Sequence, residues 1–214
     1  MDKTTIRIFR KLKLEDPVFI DLTAPEGTPV YALAQVLIDS TQAEKIGEVY
    51  SPNLPDYVVA EQSGICHLPR LEIYAAAQLT PGLLILTGTD QLDQENVQAY
   101  YELADTILKC AIELECRKVV ACTTMRSKKA EERIYIAATD TAETKEIVGK
   151  HGGKPFMLGR ITLPMGPLLG LAKIHGLKVL CIIGMITEDS TFSEVTQLLY
   201  DYLIAILEPK TDYK

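Results

Sequence analysis

The nine residues from Lys178 to Ile186, KVLCIIGMI, carry no charge after the first and show no alternation of polar with apolar positions. Such a run suits a strand covered on both faces, because a half-exposed strand alternates with a period of two. It is too short for a membrane span, which takes about 20 residues as a helix. The strand therefore needs a layer on each side. Upstream, a strand opening at Gly159 leads through Gly166, Pro167 and Gly170 into a segment, Leu168 to His175, that Gly176 can end, since glycine enters the left-handed conformation without strain. Downstream, Thr187 to Ser190 is rich in residues that cap helices, and Phe192, Val195, Leu199, Tyr202 and Ile206 then step by three and four. That stripe either packs on the chain's own sheet, the ordinary role of a surface helix, or forms a seam for a partner.

The same alternation of elements runs through the rest of the chain. Val18 to Leu22 reads as a strand and Pro29 to Gln42 as a helix, with proline in the first turn where its missing amide costs nothing. Ile46 to Tyr50, Tyr57 to Ala60, Leu71 to Leu79 and Leu83 to Thr87 read as strands, the middle ones close enough to pair as a meander. Glu95 to Glu115 reads as a long helix capped by Asp93, with Val97, Tyr101, Ala104, Leu108 and Ala111 on one side. Lys118 to Thr124, Arg133 to Thr141 and Pro155 to Leu158 read as further strands, the last two around a helix from Ala142 to Lys150 that stops at Gly152 and Gly153. Strands and helices in this order predict an α/β fold: a three-layer α/β/α sandwich on a mixed, mainly parallel sheet, with the antiparallel part supplied by the meander. One domain over 1–208 and a short flexible tail at 209–214 are expected, since no linker, repeat or low-complexity tract divides the 214 residues.

A formal charge of −7 repels phosphate backbones and argues against a dedicated nucleic-acid partner. The basic groups at Arg7, Arg10, Lys11 and Lys13 alternate in part with Ile6, Ile8, Leu12 and Leu14, as on an exposed edge strand. Met1 to Asp16 lacks the apolar centre of a signal peptide, and the five cysteines, Cys66, Cys110, Cys116, Cys122 and Cys181, form no Cys-x-x-Cys pair, so a cytoplasmic location is expected.

Ligands of open α/β sheets gather beyond the carboxyl ends of the strands. After Leu86 come Thr87, Gly88, Thr89, Asp90 and Gln91, which suit either a polar ligand or an ordinary turn. After Cys122 come Thr123, Thr124, Met125, Arg126, Ser127 and Lys128, able to hold an anion through hydroxyls and guanidinium. After Ile186, the adjacent carboxylates Glu188 and Asp189 could serve a metal but better suit the positive end of the next helix. No Gly-x-Gly-x-x-Gly, Gly-Lys-Thr or Gly-x-Ser-x-Gly pattern is present. Cys66 and His67, as strand neighbours, point to opposite faces, and with only His67, His151 and His175 available no zinc spacing emerges. No catalytic residue, metal or cofactor is predicted.

Several phrases recur in a distinctive order: Ala32 to Ile38 in the first helix followed by Ile46-Gly47; Leu86 to Gln91 before the long helix; Gly159 to Ala172 with Gly166-Pro167-Leu168-Leu169; and Asp189 to Leu203. Over most of the chain, from Val18 to the last helix, this order resembles the proteasome assembly chaperone family, specifically archaeal and eukaryotic relatives of its second subunit. The resemblance implies a fold similar to purine nucleoside phosphorylases and other phosphorylase/hydrolase-like proteins, no enzymatic activity, a homo-oligomer, and proteasome α-subunits as partners whose ring assembly is aided. Some members insert a C-terminal tail ending in a hydrophobic residue, tyrosine and any residue between α-subunits. Here Asp212, Tyr213 and Lys214 end the chain, so the tyrosine is penultimate on six residues able to reach roughly 20 Å. Asp212 departs from the tail pattern, since a carboxylate resists burial. The turn Glu26 to Tyr31 also departs from the family's Gly-x-Gly-like form, having one glycine and a proline.

Three functional readings follow. The first is a non-enzymatic chaperone-like binder of α-subunits, and the second an enzyme resembling nucleoside phosphorylases or hydrolases that would need Asp90 and the Thr123 to Lys128 loop in one pocket. The third is a member that kept the fold and took another partner.

Overall fold

The structure is a computed structural model and describes residues 1–60, 62–93, 95–128, 130–157, 159–162 and 164–207. In chain order the elements are β1 (Thr5–Ile8), β2 (Val18–Thr23), α1 (Pro29–Thr41), β3 (Glu44–Tyr50), β4 (Val59–Ala60), β5 (Cys66–His67), β6 (Leu71–Ala76), β7 (Leu83–Gly88), α2 (Val97–Glu113), β8 (Lys118–Arg126), β9 (Ile134–Ala138), α3 (Thr141–His151), β10 (Lys154–Pro155), α4 (Met165–Ile174), β11 (Lys178–Ile186) and α5 (Phe192–Leu207).

Nine of the strands form one sheet in the order β1-β3-β6-β7-β2-β8-β11-β9-β10. Its centre, β7-β2-β8-β11, is parallel. The meander β3-β6-β7 is antiparallel, as are the pairings of β1 with β3 and of β9 with β11. Apolar side chains on one face, such as Ile20, Leu22, Ile85, Val120 and Ile182, pack beneath α1, α3 and α5. Those on the other, such as Phe19, Leu84, Leu86 and Val179, pack beneath α2 and α4. The expected three-layer α/β/α sandwich on a mixed sheet is therefore present. The run at β11 is buried from Val179 to Met185 because strands lie on both its sides and helices over both its faces. The basic N-terminal segment supplies β1, an edge strand with Arg7 exposed and Ile6 and Ile8 partly buried.

Several local expectations give way to the packing. Residues 57–60 do not join the meander: β4 pairs only with β5, as a separate hairpin arm whose Tyr57, Val58 and Val59 are exposed. Helix α2 is capped by Asn96, whose Oδ1 accepts from the Ala99 amide at 3.2 Å, while Asp93 receives the Glu95 amide in the preceding turn. Its buried face includes Tyr100 and excludes Val97 and Tyr101, because the Tyr100 hydroxyl can be satisfied inside by donating to the Leu92 carbonyl at 2.7 Å. In α5 the buried stripe is Val195, Thr196, Leu199, Tyr202 and Leu203, with Phe192 exposed. The Thr187 to Ser190 loop does not cap α5. Thr191 does, through a reciprocal pair in which its Oγ1 accepts the Glu194 amide and Glu194 Oε2 accepts the Thr191 amide. The segment opening at Gly159 forms no strand among the described residues, since the sheet ends at β10. Leu158, the expected end of the preceding strand, lies outside the described residues.

Candidate functional site

The carboxyl ends of β2, β7, β8 and β11 reach the same edge of the sheet, and the N-terminus of α1 sits above them. Thr28 starts α1: its hydroxyl accepts the Tyr31 amide at 3.3 Å and donates to the Pro25 carbonyl at 2.7 Å. On one side of this helix end lies a cleft of about 500 Å³, on the other a cleft of about 470 Å³.

The first cleft collects Thr87, Gly88, Thr89 and Asp90, four of the five residues singled out after β7; Gln91 does not line it. Asp90 is held at both oxygens, accepting from the Tyr57 hydroxyl at 2.6 Å and from the Arg70 amide at 3.3 Å. It thereby ties the hairpin arm to the start of β6. Gly88 permits this closeness, because a Cβ there would come within 2.5 Å of Leu71 Cδ2 and 3.3 Å of the Arg70 carbonyl. Thr87 is only 4% exposed, and among the described residues its hydroxyl has no hydrogen-bond partner.

The floor of this cleft is a charged network on the α1 face of the sheet. Glu48 on β3 stands directly opposite Glu72 on β6, a like-charge pair that destabilises a sheet unless cations intervene. Two do. Arg70 Nε lies 3.0 Å from Glu48 Oε1 and 3.2 Å from Glu72 Oε1, and Lys45 Nζ lies 2.7 Å from Glu48 Oε1 and 2.5 Å from Glu72 Oε1. Lys45 reaches Glu48's face because a bulge shifts the register between Lys45 and Gly47. The remaining carboxylate oxygens accept from Tyr50 at 2.7 Å and from Tyr74 at 2.8 Å. Desolvation alone would push both glutamates up, but the bonds from Lys45 and the tyrosines, with the Arg70 charge, outweigh it and hold both below the usual carboxylate value. Burial and the bond to Glu72 raise the Tyr74 phenol in turn.

The second cleft is bounded by Gly27 to Pro29, by Thr124 and Arg126 of β8, and by the Thr187 to Thr191 segment. An adjoining hollow of about 300 Å³ adds Ser127 and Lys128 and shares Arg126 and Glu188. Thr123 does not take part. β8 continues through Arg126, so alternation along it puts Thr123 on the face opposite Thr124 and Arg126. The single pocket required by the enzyme reading, with Asp90 and the Arg126 segment converging, is not formed among the described residues: the start of α1 stands between the two clefts.

Other groups with potential chemistry lie elsewhere. Burial pushes Cys110 up to about 11, Cys116 and Cys181 to about 12, and Cys122 well above the ordinary thiol value, so these four remain protonated. His175 bridges α4 to α2 through Asp105 at 2.8 Å, away from both clefts. Among the described residues no group of three or more His, Cys, Asp or Glu side chains could hold a metal, and no helix is long and apolar enough to cross a membrane. The tail residues Asp212, Tyr213 and Lys214 lie outside the described residues.

Tyr31, Tyr57, Arg70, Glu72 and Tyr74 line the first cleft and were not singled out from the sequence. One signal was available. Glu48-Val49-Tyr50 and Glu72-Ile73-Tyr74 repeat the same Glu-x-Tyr spacing, which puts acid and phenol on one face of each strand.

A family model described as the PAC2 family matches residues 27–214. The chain belongs to the PAC2 family. The resemblance to proteasome assembly chaperones read from the sequence is thereby borne out at family level, and solved structures agree in fold. The crystal structure of Pyrococcus furiosus PbaB, an archaeal proteasome activator, superposes with a TM-score of 0.87 at 22% identity, covering 99% of this chain and 92% of that one. Pyrococcus furiosus PbaA, an archaeal homologue of proteasome-assembly chaperone, gives 0.77 at 20% identity, with 99% and 84% covered. A Mycobacterium tuberculosis proteasome-assembly chaperone homologue gives 0.69 at 15% identity, with 91% and 86% covered. No curated protein sequence matches the chain.

Proposed function

We propose that this PAC2-family protein is a non-enzymatic, homo-oligomeric, cytoplasmic binding protein that engages proteasome α-subunits and aids assembly of the α-ring. The observation that carries the reading is the family match over residues 27–214, taken with the likeness along 99% of the chain to PbaB and PbaA. In support, among the described residues the two clefts at the carboxyl edge do not merge into the pocket that an enzyme using Asp90 with Arg126 would need. Binding would be shared among several weak contacts in an oligomer, with Tyr213 of the tail as one contact and Asp212 as a carboxylate that must stay near solvent.

PbaB is described as an activator, which favours a second reading in which the target is the assembled ring instead of free subunits. One experiment separates the two: capture of α-subunits, free or as rings, by the full chain and by a chain lacking Asp212 to Lys214. Capture of free subunits supports assembly, and capture of rings alone supports activation. Loss of capture on truncation assigns the contact to the tail, whereas undiminished capture assigns it to the folded surface. If neither form retains α-subunits of the source organism, the reading fails.

A further inference from the structure

We propose that the cleft between α1, the β6–β7 floor and the hairpin arm is a docking site for a basic side chain, lysine or arginine, presented by a partner protein. The inference rests on this cleft alone and does not require the partner to be a proteasome subunit.

Charge points to a cation. In and beneath the cleft the cations Lys45 and Arg70, with Arg7 opposite Glu48 at the outer end of the network, face four carboxylates, Glu48, Glu72, Asp90 and Glu26. Lys45 and Arg70 Nε are already engaged with Glu48 and Glu72, while Glu26 stands exposed at the rim. The excess is negative, and an incoming anion would meet it.

The lining chemistry fits an ammonium or guanidinium group. Tyr31, Tyr57 and Tyr74 line the cleft, and aromatic rings attract cations to their faces. Tyr57 and Tyr74 spend their protons on Asp90 and Glu72, which leaves phenol oxygens as acceptors for a ligand's N–H. The Thr87 hydroxyl is buried on the floor, has no partner among the described residues and can likewise accept. Removal of a hydroxyl from water is favourable only where something replaces the lost hydrogen bond.

The rim indicates a macromolecular source. The arm that brings Tyr57, Val59 and His67 to the cleft also exposes the apolar side chains of Val58, Ile65 and Leu68. A free polyamine has no use for such apolar surface on the arm. A lysine or arginine on a protein surface does, because its methylene stem and apolar neighbours can pack there while the charged head enters the cleft.

The test uses blocked probes with the full chain, following the backbone amide signals of Thr87 to Asp90 by NMR. Acetyl-Leu-Lys-Leu-amide and its arginine counterpart are expected to shift these signals saturably, and more tightly than acetyl-Gly-Lys-Gly-amide. The citrulline counterpart, which keeps the shape of arginine without its charge, is expected to leave them unmoved. Glu26→Gln, an exposed site that leaves the fold intact, is expected to weaken lysine binding about two- to fivefold. Thr87→Val, nearly the same shape, is expected to weaken it as well. The proposal is overturned if citrulline binds as well as arginine, if phosphate or acetyl-glutamate-amide moves the same signals instead, if spermidine binds more tightly than the leucine-flanked peptide, or if no probe shifts them.

Discussion

Two carboxylate sites on one sheet behave in opposite ways. Asp21, in the central strand β2, is 4% exposed, and its Oδ1 accepts from the Thr23 amide at 2.9 Å and hydroxyl at 2.8 Å. Burial pushes it up to about 6 against the modest help of Thr23. Glu48 and Glu72, on the β3–β6 flank, are also desolvated and stand directly opposite each other, yet both are held below the usual value. The difference lies in supply. Lys45, Arg70, Tyr50 and Tyr74 surround the pair, whereas among the described residues no cation is bonded to Asp21. Burial alone does not set the direction of a carboxylate's shift; the count of donors and cations within reach does.

The largest effect should come from removing the cation between the paired glutamates. Arg70→Met keeps the methylene stem but leaves Glu48 and Glu72 facing each other with Lys45 alone, and should lower the unfolding free energy by about 3 kcal/mol. The folded-state depression of these two carboxylates stabilises the protein above their unfolded value and is lost as pH falls through that range. Arg70→Met should therefore flatten the acid limb of stability as well as lower the plateau, both readable from urea unfolding at pH 3 to 7. A variant as stable as the parent would mean that the network is solvated decoration.

Asp21 tests the other arm. Its proton is bound more tightly in the folded state, so its contribution is most favourable at low pH and is lost as pH rises from about 4 through about 6. The gap between 3.8 and about 6 corresponds to a penalty of at most about 3 kcal/mol at neutral pH. Asp21→Asn keeps an oxygen for Thr23 and should raise stability at pH 7 by about 1–3 kcal/mol while leaving it nearly unchanged at pH 4. A loss of stability at pH 7 would show that the ionised group has compensating partners and would remove the contrast with the flank.

The centre of the sheet was easier to read from the sequence than its flank, for a physical reason. Lys178 to Ile186 announces itself because burial on both faces erases alternation, and that signal is local. Asp90 stood out as a loop acid after a strand, but its holder Tyr57 is 33 residues away, on an arm expected to be part of the meander. The Glu48–Glu72 pairing depends on strand register and on a bulge that turns Lys45 to the same face. A one-residue slip would have undone it, and single-residue patterns do not fix register. Thr123 groups with Arg126 only if both lie in a loop after Cys122; β8 continues through Arg126 and puts them on opposite faces.

The smallest expected effect sharpens the contrast within a single strand. Glu44 and Glu48 both lie on β3, and each is paired with a cation, Glu44 with Arg10 and Glu48 with Lys45 and Arg70. The Arg10 and Glu44 side chains are 59% and 55% exposed, so water screens the pair and holding two long side chains together costs as much as the attraction returns. Glu48 is 14% exposed and shares its cations with a second carboxylate directly across the ladder. Glu44→Gln should change stability by no more than about 0.5 kcal/mol. An effect as large as that of Arg70→Met, measured in the same urea series, would mean that β1 is held to β3 by charge and not by its ladder and the burial of Ile6 and Ile8.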